Sequence, residues 1–388
     1  MHAMADRLWD VACALHAHPE TAFDEHRAAD RLCAELEQHG FAVDRGVAGM
    51  PTAFVGRAGT GAHPRVALLL EYDALPGLGH ACGHNLIAAA SLGAAIAARE
   101  ALADQAGTVL AVGTPAEEGG GGKIIELDAG VFDGVDAALM FHPAVQNWSW
   151  AVLTAQVELR ITFHGRAAHP TGNPTEGIDA LASLVQLFTT LAALRQRLPS
   201  GSHIQGIITH GGQATNIVPD LAEGRFGLRA LTTAALDSLI DQVTTAAHGI
   251  AAATATTVDV EKVRAPYAHF RPNEHLSARF DEHIARHGIV MSPPEPGVFL
   301  GSSDIGNIST TLPAIHPFVA ILDSDQSDHT PEFAVAAAGM RGREVMLAAA
   351  DALGRTAIDL LTQPALVAAA WQEFHQRANT DHIATPLR

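Results

Sequence analysis

Cysteine is scarce in this chain: three among 388 residues, Cys13, Cys33 and Cys82. So few thiols exclude a disulfide framework and predict a reducing compartment, hence a cytoplasmic protein. Charge is thin too, at 17% of residues, and basic charge is thinner still, with 24 Lys and Arg against 42 Asp and Glu for a net of −18. That deficit argues against nucleic acid or an anionic membrane as a partner. No secretory apolar segment opens the chain, since "MHAMADRLWD" carries charges where one would lie. The apolar segments are interrupted short of the roughly 20 residues needed to span a bilayer. Internal repeats and low-complexity linkers are also lacking. What abounds is apolar residues, 48% of the chain, which predicts a globular protein long enough for two domains.

Residues 5–39 alternate apolar and charged positions at helical spacing, broken near Pro19. They predict two helices, the second ending at Gly40, with Cys13 and Cys33 as small core residues. Short apolar runs follow at "VALLL" (66–70), "TVLAVG" (108–113), "AALMF" (137–141) and "FVAIL" (318–322). Unbroken runs of this length suit strands covered on both faces. The alanine-rich "NLIAAASLGAAIAAREALADQ" between the first two reads as a helix. Strand, helix, strand order predicts an α/β domain with a mixed, mostly parallel sheet and helices on both faces. The middle of the chain differs. "AQVELRITFHG" alternates apolar and polar residues, as a half-exposed strand does, and the segment continues in a β-α-β-β-α-β order. We therefore expect an α+β open-faced sandwich at 153–265, inserted into a domain made of 1–152 and 266–388.

"GLGHACGHNL" (77–86) sets His80, Cys82 and His84 at alternate positions. Alone it fits a metal site, a reactive thiol beside a base, or a glycine-rich turn. The other apolar runs narrow the choice, because ligands in open α/β sheets bind beyond the carboxyl ends of the strands. Glu71 and Asp73 follow the first run, Glu117 and Glu118 the second, His142 the third and His329 the fourth. A thiolate, imidazoles and carboxylates form a set suited to zinc, with manganese or cobalt as alternatives. Five such ligands exceed one tetrahedral site and predict two divalent ions roughly 3.5–4 Å apart. Adjacent Glu117 and Glu118 can then divide the work, one binding metal and the other serving as base. Glycines 119–122 let backbone and substrate approach closely. Each residue also has a plainer reading: Glu117 and Glu118 as acids favoured at a helix N-terminus, Asp325 or Asp328 in place of His329, and Arg229 as the partner of Glu223.

"EYDALPGLGHACGHN", "GTPAEEGGGG", "MFHP", "GRAAHP", "GGQATNIVPD", "GSSDIG" and "SDHTPEF" occur in that order. The ordered set resembles the metallopeptidase family of aminoacylases, hippurate hydrolases, indole-acetyl-amino-acid hydrolases and carboxypeptidase G. Within it, the first motif is nearest the branch of p-aminobenzoyl-glutamate hydrolase and the β-alanyl-dipeptide peptidases. The resemblance implies a dimetal catalytic domain and an inserted lid that also dimerises. It makes Cys82, His84, Glu118, His142 and His329 the metal ligands, Glu117 the general base and acid, and Asp73 a residue orienting one of the ligands. It assigns His169 to the scissile carbonyl across a homodimer, Asn216 and Arg229 to the substrate's carboxylate, and Gly301 to the pocket lining. His80 is not used by the family pattern. Two departures, Asn85 where many relatives carry aspartate and "EYDALP" where many read "DMDALP", remove no ligand but open the substrate preference. The implied reaction is hydrolysis of an amide bond next to a free carboxylate in a small molecule. A β-alanyl dipeptidase, a non-hydrolytic binding relative and a metal-free thiol hydrolase are the competing readings.

Overall fold

The computed structural model describes residues 4–102, 106–173 and 175–380. They form two compact units, residues 4–152 with 270–379, and residues 153–269. The first unit opens with α1 (Ala5–Ala17) and α2 (His26–Gln38), followed by β1 (Ala42–Arg45), β2 (Phe54–Gly59) and β3 (Arg65–Glu71). Next come α3 (His84–Leu102), β4 (Thr108–Thr114), α4 (Gly122–Asp128), β5 (Ala137–Leu139) and β6 (His142–Ala144). The second unit consists of β7 (Ala155–His164), α5 (Ala180–Arg195), β8 (His203–His210), β9 (Leu221–Ala230), α6 (Thr233–Thr254) and β10 (Thr257–Lys262). The chain then re-enters the first unit with α7 (Glu274–Ile284), α8 (Ile305–Ser309), β11 (Ala314–Ile315), β12 (Phe318–Ala320), α9 (Pro331–Ala336), α10 (Met340–Thr362) and α11 (Pro364–Thr380).

The main sheet runs β1-β2-β4-β3-β5-β11. Strands β4, β3, β5 and β11 are parallel, and β1 and β2 form an antiparallel margin. β4 is buried throughout and β3 from Val66 to Glu71, as expected of parallel strands covered on both faces. Helix α3 packs on β3 and β4, and α10 packs on α3. Helix α1 packs on α3 as well, closely enough that a Cβ on Gly93 would fall 2.6 Å from Leu8 Cδ1. By length and composition alone α3 could cross a membrane, contrary to the expectation that no apolar segment reaches that length. Its apolar surface is instead consumed by packing, with 78% of the relevant window buried inside the protein.

The run "FVAIL" does not join the main sheet. Its residues Phe318–Ala320 pair in parallel with β6 in a separate two-stranded sheet. Met140 and Phe141 separate β5 from β6, and Pro317, which has no N–H to donate, removes one rung of the ladder that would otherwise continue β5 and β11. His142 N still donates to Pro317 O at 2.8 Å, so the two short strands keep the direction of the sheet edge they extend.

In the second unit the sheet order is β10-β7-β9-β8, antiparallel throughout. Alternation along β7 and β9 sends Leu159, Ile161, Phe163, Phe226 and Leu228 into a core with Leu184, Leu187, Leu239 and Val243 of α5 and α6. Asp179 and Thr232 cap those helices by accepting from Ala182 N (2.9 Å) and Ala235 N (3.2 Å). The opposite face is polar and carries pairs such as Arg225–Glu158 at 3.0 Å and His164–Asp259 at 2.9 Å. Tyr267 exchanges two backbone hydrogen bonds of 3.0 Å with Gln156, which keeps residues 266–269 on this unit.

Candidate metal centre

Four loops beyond strand ends of the first unit bring the predicted ligands together. Cys82 lies in the loop after β3, and His84 is the first residue of α3. Gly83 between them has φ +77°, and a Cβ there would come 2.5 Å from the ring of Pro143. Only glycine fits. After β4, Ala116 takes a left-handed φ of +60° before Glu117 and Glu118. His142 opens β6, and His329 is held by its amide, which donates to Ala81 O at 2.9 Å.

Among the described residues, ligand atoms of Cys82, His84 and His142 lie within 4.8 Å of one another, and so do those of Cys82, Glu118 and His329. The five predicted ligands thus fall into two sets of three that share the Cys82 sulfur. Cys82 Sγ is 3.4 Å from His142 Nε2, and His329 Nε2 is 3.4 Å from Glu118 Oε1. A third set joins His84 to both glutamates, with each carboxylate 4.0 Å from His84 Nε2.

The donor atoms fit divalent metal. His84 Nδ1 faces Asp73 O at 2.9 Å and Asp73 Oδ1 at 3.0 Å, which fixes the proton on Nδ1. His84 Nε2 is buried with no hydrogen-bond partner and turns its lone pair to the centre. His142 is oriented in the same way, with Nδ1 2.6 Å from Pro143 O. Asp73 Oδ2 also accepts from Glu118 N at 2.9 Å, so one buried carboxylate orients two ligands on different loops. Burial opposes the charge of Asp73, but the His84 imidazole beside it and its hydrogen bonds keep the carboxyl below its usual range. Burial, then the charges of Glu71, Asp304 and Glu118, push Glu117 well above the carboxylate range, which suits a proton carrier. Burial pushes the Cys82 thiol up as well, the opposite of what a free thiol nucleophile needs.

The remaining predicted residues lie elsewhere. Gly301 sits at φ +84° in an exposed loop of the first unit. His169, Asn216 and Arg229 all belong to the second unit. Asn216 occupies the loop between β8 and β9 rather than a strand, since glycines and Pro219 end the ladder there. That loop meets the His169 loop through Val218 N, which donates to Ala168 O at 3.0 Å. Gly172 N donates to His169 Nδ1 at 3.0 Å, leaving Nε2 as the donor nitrogen of an exposed imidazole. Arg229 stands at the far end of β9 and lines a cavity of about 200 Å³ with Gln156, Glu158, Arg264 and Tyr267. Burial lowers its pKa. Its suggested partner Glu223 instead accepts from Thr209 Oγ1 at 2.6 Å.

Sequence reasoning missed a buried ionic cluster beside the centre. Lys123 Nζ lies 2.5 Å from Glu71 Oε1 and 2.7 Å from Asp304 Oδ1, all three side chains being fully buried. Glu71 Oε2 in turn is 3.6 Å from His84 Nε2. A lysine directly after four glycines and before "IIELDAG" was the available signal. His80 joins none of the ligand sets. It is buried, stacks on His16 with centroids 6.2 Å apart, and burial holds its pKa down at about 3. His316, another buried imidazole, packs 5.5 Å from His142 and 4.7 Å from Phe318. Asn85 points away from the ligands and donates to Ala12 O (3.2 Å) and Ala337 O (3.1 Å).

Residues 67–352 match the description "Peptidase family M20/M25/M40". The chain is 36% identical over 399 residues to the Xaa-Arg dipeptidase of Mus musculus, covering 98% of this chain and 91% of the relative. It is 35% identical over 306 residues to one of the subunits of p-aminobenzoyl-glutamate hydrolase from Escherichia coli, covering 74% and 62% respectively. Among solved structures, a dinuclear metal-binding peptidase of the M20 family from Bacillus subtilis superposes with a TM-score of 0.73 at 22% identity, over 93% of this chain and 99% of that one. An aminobenzoyl-glutamate utilization protein from Klebsiella pneumoniae gives 0.71 at 20% identity, over 92% and 96%. At these identities the two structures speak for the fold.

Proposed function

The chain belongs to peptidase family M20/M25/M40, metal-dependent hydrolases of peptide and amide bonds, and from that premise we propose that it cleaves an amide bond next to a free carboxylate. The observation that carries the reading is the division of five ligands into two sets sharing Cys82. Glu117 is left beside them for proton work. Cys82, His84 and His142 would hold one divalent ion, and Cys82, Glu118 and His329 the second. Zinc suits this mixed sulfur, nitrogen and oxygen set, with manganese or cobalt as alternatives. Bound ions would supply Lewis acidity toward the scissile carbonyl and the attacking water. The chain's own groups do the rest. Glu117 takes the proton of the water and passes it to the leaving amine, which cannot depart as an anion. Asp73 keeps His84 and Glu118 in place. His169, with its proton on Nε2, donates to the carbonyl oxygen as it gains charge, and Arg229 with Asn216 holds the substrate's carboxylate while Gly301 lines the pocket.

We propose a homodimer, a reading that the inserted unit supports. Almost the whole of β9, a strand of 10 residues and so roughly 30 Å long, separates Arg229 from the loops of His169 and Asn216. Supplied by different subunits, the two groups would reach one small substrate together, which supports the dimer. The edge strand β8 also exposes Ile207 and Ile208, at 61% and 47%, an apolar margin that a second copy would cover. A cytoplasmic location is part of the same proposal and is argued from the scarcity of cysteine alone.

Full-length likeness to Xaa-Arg dipeptidases favours dipeptides over aminobenzoyl conjugates as substrates. A hydrolysis screen of protein loaded with zinc, manganese or cobalt decides, spanning dipeptides ending in basic residues, β-alanyl dipeptides, p-aminobenzoyl-glutamate, hippurate and N-acyl amino acids. Chelator-sensitive release of a free amino acid is expected. Fewer than one metal per chain, with chelator-resistant activity, would refute the mechanism.

A further inference from the structure

The segment between α1 and α2 is clipped to two loops of the metal centre. Ala74 N, next to Asp73, donates to Glu20 O at 2.8 Å. The Phe23 ring lies so close to Gly120 that a Cβ there would fall 2.3 Å from it. Ala116 N donates to Glu25 Oε1 at 2.9 Å. Glu25 is fully buried, and its other carboxylate oxygen has no hydrogen-bond partner. An acid carried into the interior is costly, which makes its bond to a distant loop worth explaining.

The bond falls where the catalytic loop is most constrained. Ala116 directly precedes Glu117 and holds φ at +60°, a conformation that L side chains rarely adopt. Its carbonyl accepts from Gly120 N (2.8 Å) and Gly121 N (2.9 Å), closing the turn around both glutamates. Ala116 is itself buried, so without Glu25 its amide would be an unsatisfied donor, and the left-handed turn would lose the contact that holds it. We infer that Glu25 is a positioning residue, whose carboxylate, by holding the Ala116 amide, fixes the turn that aims Glu117 and Glu118 at the metal site. The inference rests on Glu117 as base and Glu118 as ligand. It adds a residue that touches neither substrate nor metal.

The test compares wild type, Glu25→Met and Glu25→Gln. Methionine keeps the volume and removes the acceptor, whereas glutamine keeps an oxygen for the Ala116 amide. In metal-free protein, exchange of the Ala116 amide should speed by about a hundredfold in Glu25→Met and stay slow in Glu25→Gln. In cobalt-loaded protein, Glu25→Met should change the visible ligand-field spectrum and lower kcat by about ten- to a hundredfold, with KM within about threefold. Glu25→Gln should restore both. A wild-type spectrum and kcat in Glu25→Met would overturn the inference, and so would Glu25→Gln behaving like Glu25→Met. If Glu25→Met does not fold, Glu25→Met/Ala116→Gly carries the test, because glycine accepts the positive φ without strain. An altered cobalt spectrum there supports the positioning role, and an unaltered one overturns it. Wild type that binds no cobalt would refute the metal assignment instead, an outcome separable through the amide exchange, which needs no metal.

Discussion

Replacing Asn85 by aspartate asks whether this departure from many relatives belongs to the chemistry or to the scaffold. Asn85 is fully buried, and its Nδ2 donates at 3.2 and 3.1 Å to the carbonyls of Ala12 and Ala337. Those bonds tie the start of α3 to α1 and to the residue closing α9. Aspartate offers at most one proton for two acceptors, and none when ionised. Two lost bonds at about 1 kcal/mol each, with at least one carbonyl left unsatisfied at about 1–3 kcal/mol, give a loss of about 3 kcal/mol or more. Ionisation at a site facing two carbonyl oxygens adds to this, so the introduced carboxyl would titrate above its unfolded value. Its destabilising effect is then smallest at acid pH and grows as pH rises toward the folded-state pKa. Urea denaturation of metal-free Asn85→Asp at pH 5 and pH 8 should show the lower midpoint at pH 8, both below wild type with an unchanged slope. Metal content of the folded fraction should match wild type. Unchanged midpoints together with lost metal or an altered substrate preference would refute this and put Asn85 in the site.

Cys82 serves both ligand sets, so Cys82→Ala should leave less than one ion per chain, whereas His142→Ala or His329→Ala should retain about one of two; elemental analysis separates these outcomes. Lys123→Met would strand Glu71 and Asp304 without their cation and should cost about 3–5 kcal/mol in denaturant unfolding, partly recovered by adding Asp304→Asn. Burial, first, and then the nearby Asp73 raise Glu25 from 4.5 to about 7. A raised folded-state pKa contributes stability below the unfolded value and loses it as pH rises through the folded one. Metal-free wild type should therefore lose about 3 kcal/mol between roughly pH 4.5 and 7 on account of this group, a loss absent in Glu25→Gln. Parallel pH–stability curves for the two proteins would exclude that contribution.

The convergence of the five candidate ligands was readable in the sequence because cysteine, histidine and paired glutamates are unusual immediately after apolar strands. The strand order then does the rest, since parallel strands bring their carboxyl ends to one edge. The alternation along β7 and β9 made the inserted unit equally plain. The Glu71–Lys123–Asp304 cluster was not readable, as its members stand far apart in the chain and each looks ordinary alone. The bond from Glu25 to a backbone amide 91 residues away has no side-chain signature at the receiving end. The run "FVAIL" was legible as a strand, but composition says nothing about which ladder a strand joins, and the missing N–H of Pro317 bears on that. Asn85 read as a residue that points to the branch and leaves the substrate open; its hydrogen-bond acceptors, Ala12 O and Ala337 O, lie 73 and 252 residues away and have no sequence signal.

His84 is at once a member of two ligand sets and the first residue of α3. The imidazole cannot move without a 19-residue helix that is wedged against β3, α1 and α10. Occupancy of the centre and melting of the whole domain are therefore linked equilibria. Ions at a hundred times their dissociation constant would raise unfolding free energy by about 2.7 kcal/mol. In reverse, a methyl group added at Gly93, whose Cβ would fall 2.6 Å from Leu8 Cδ1, would be felt as weaker affinity for metal nine residues along the helix.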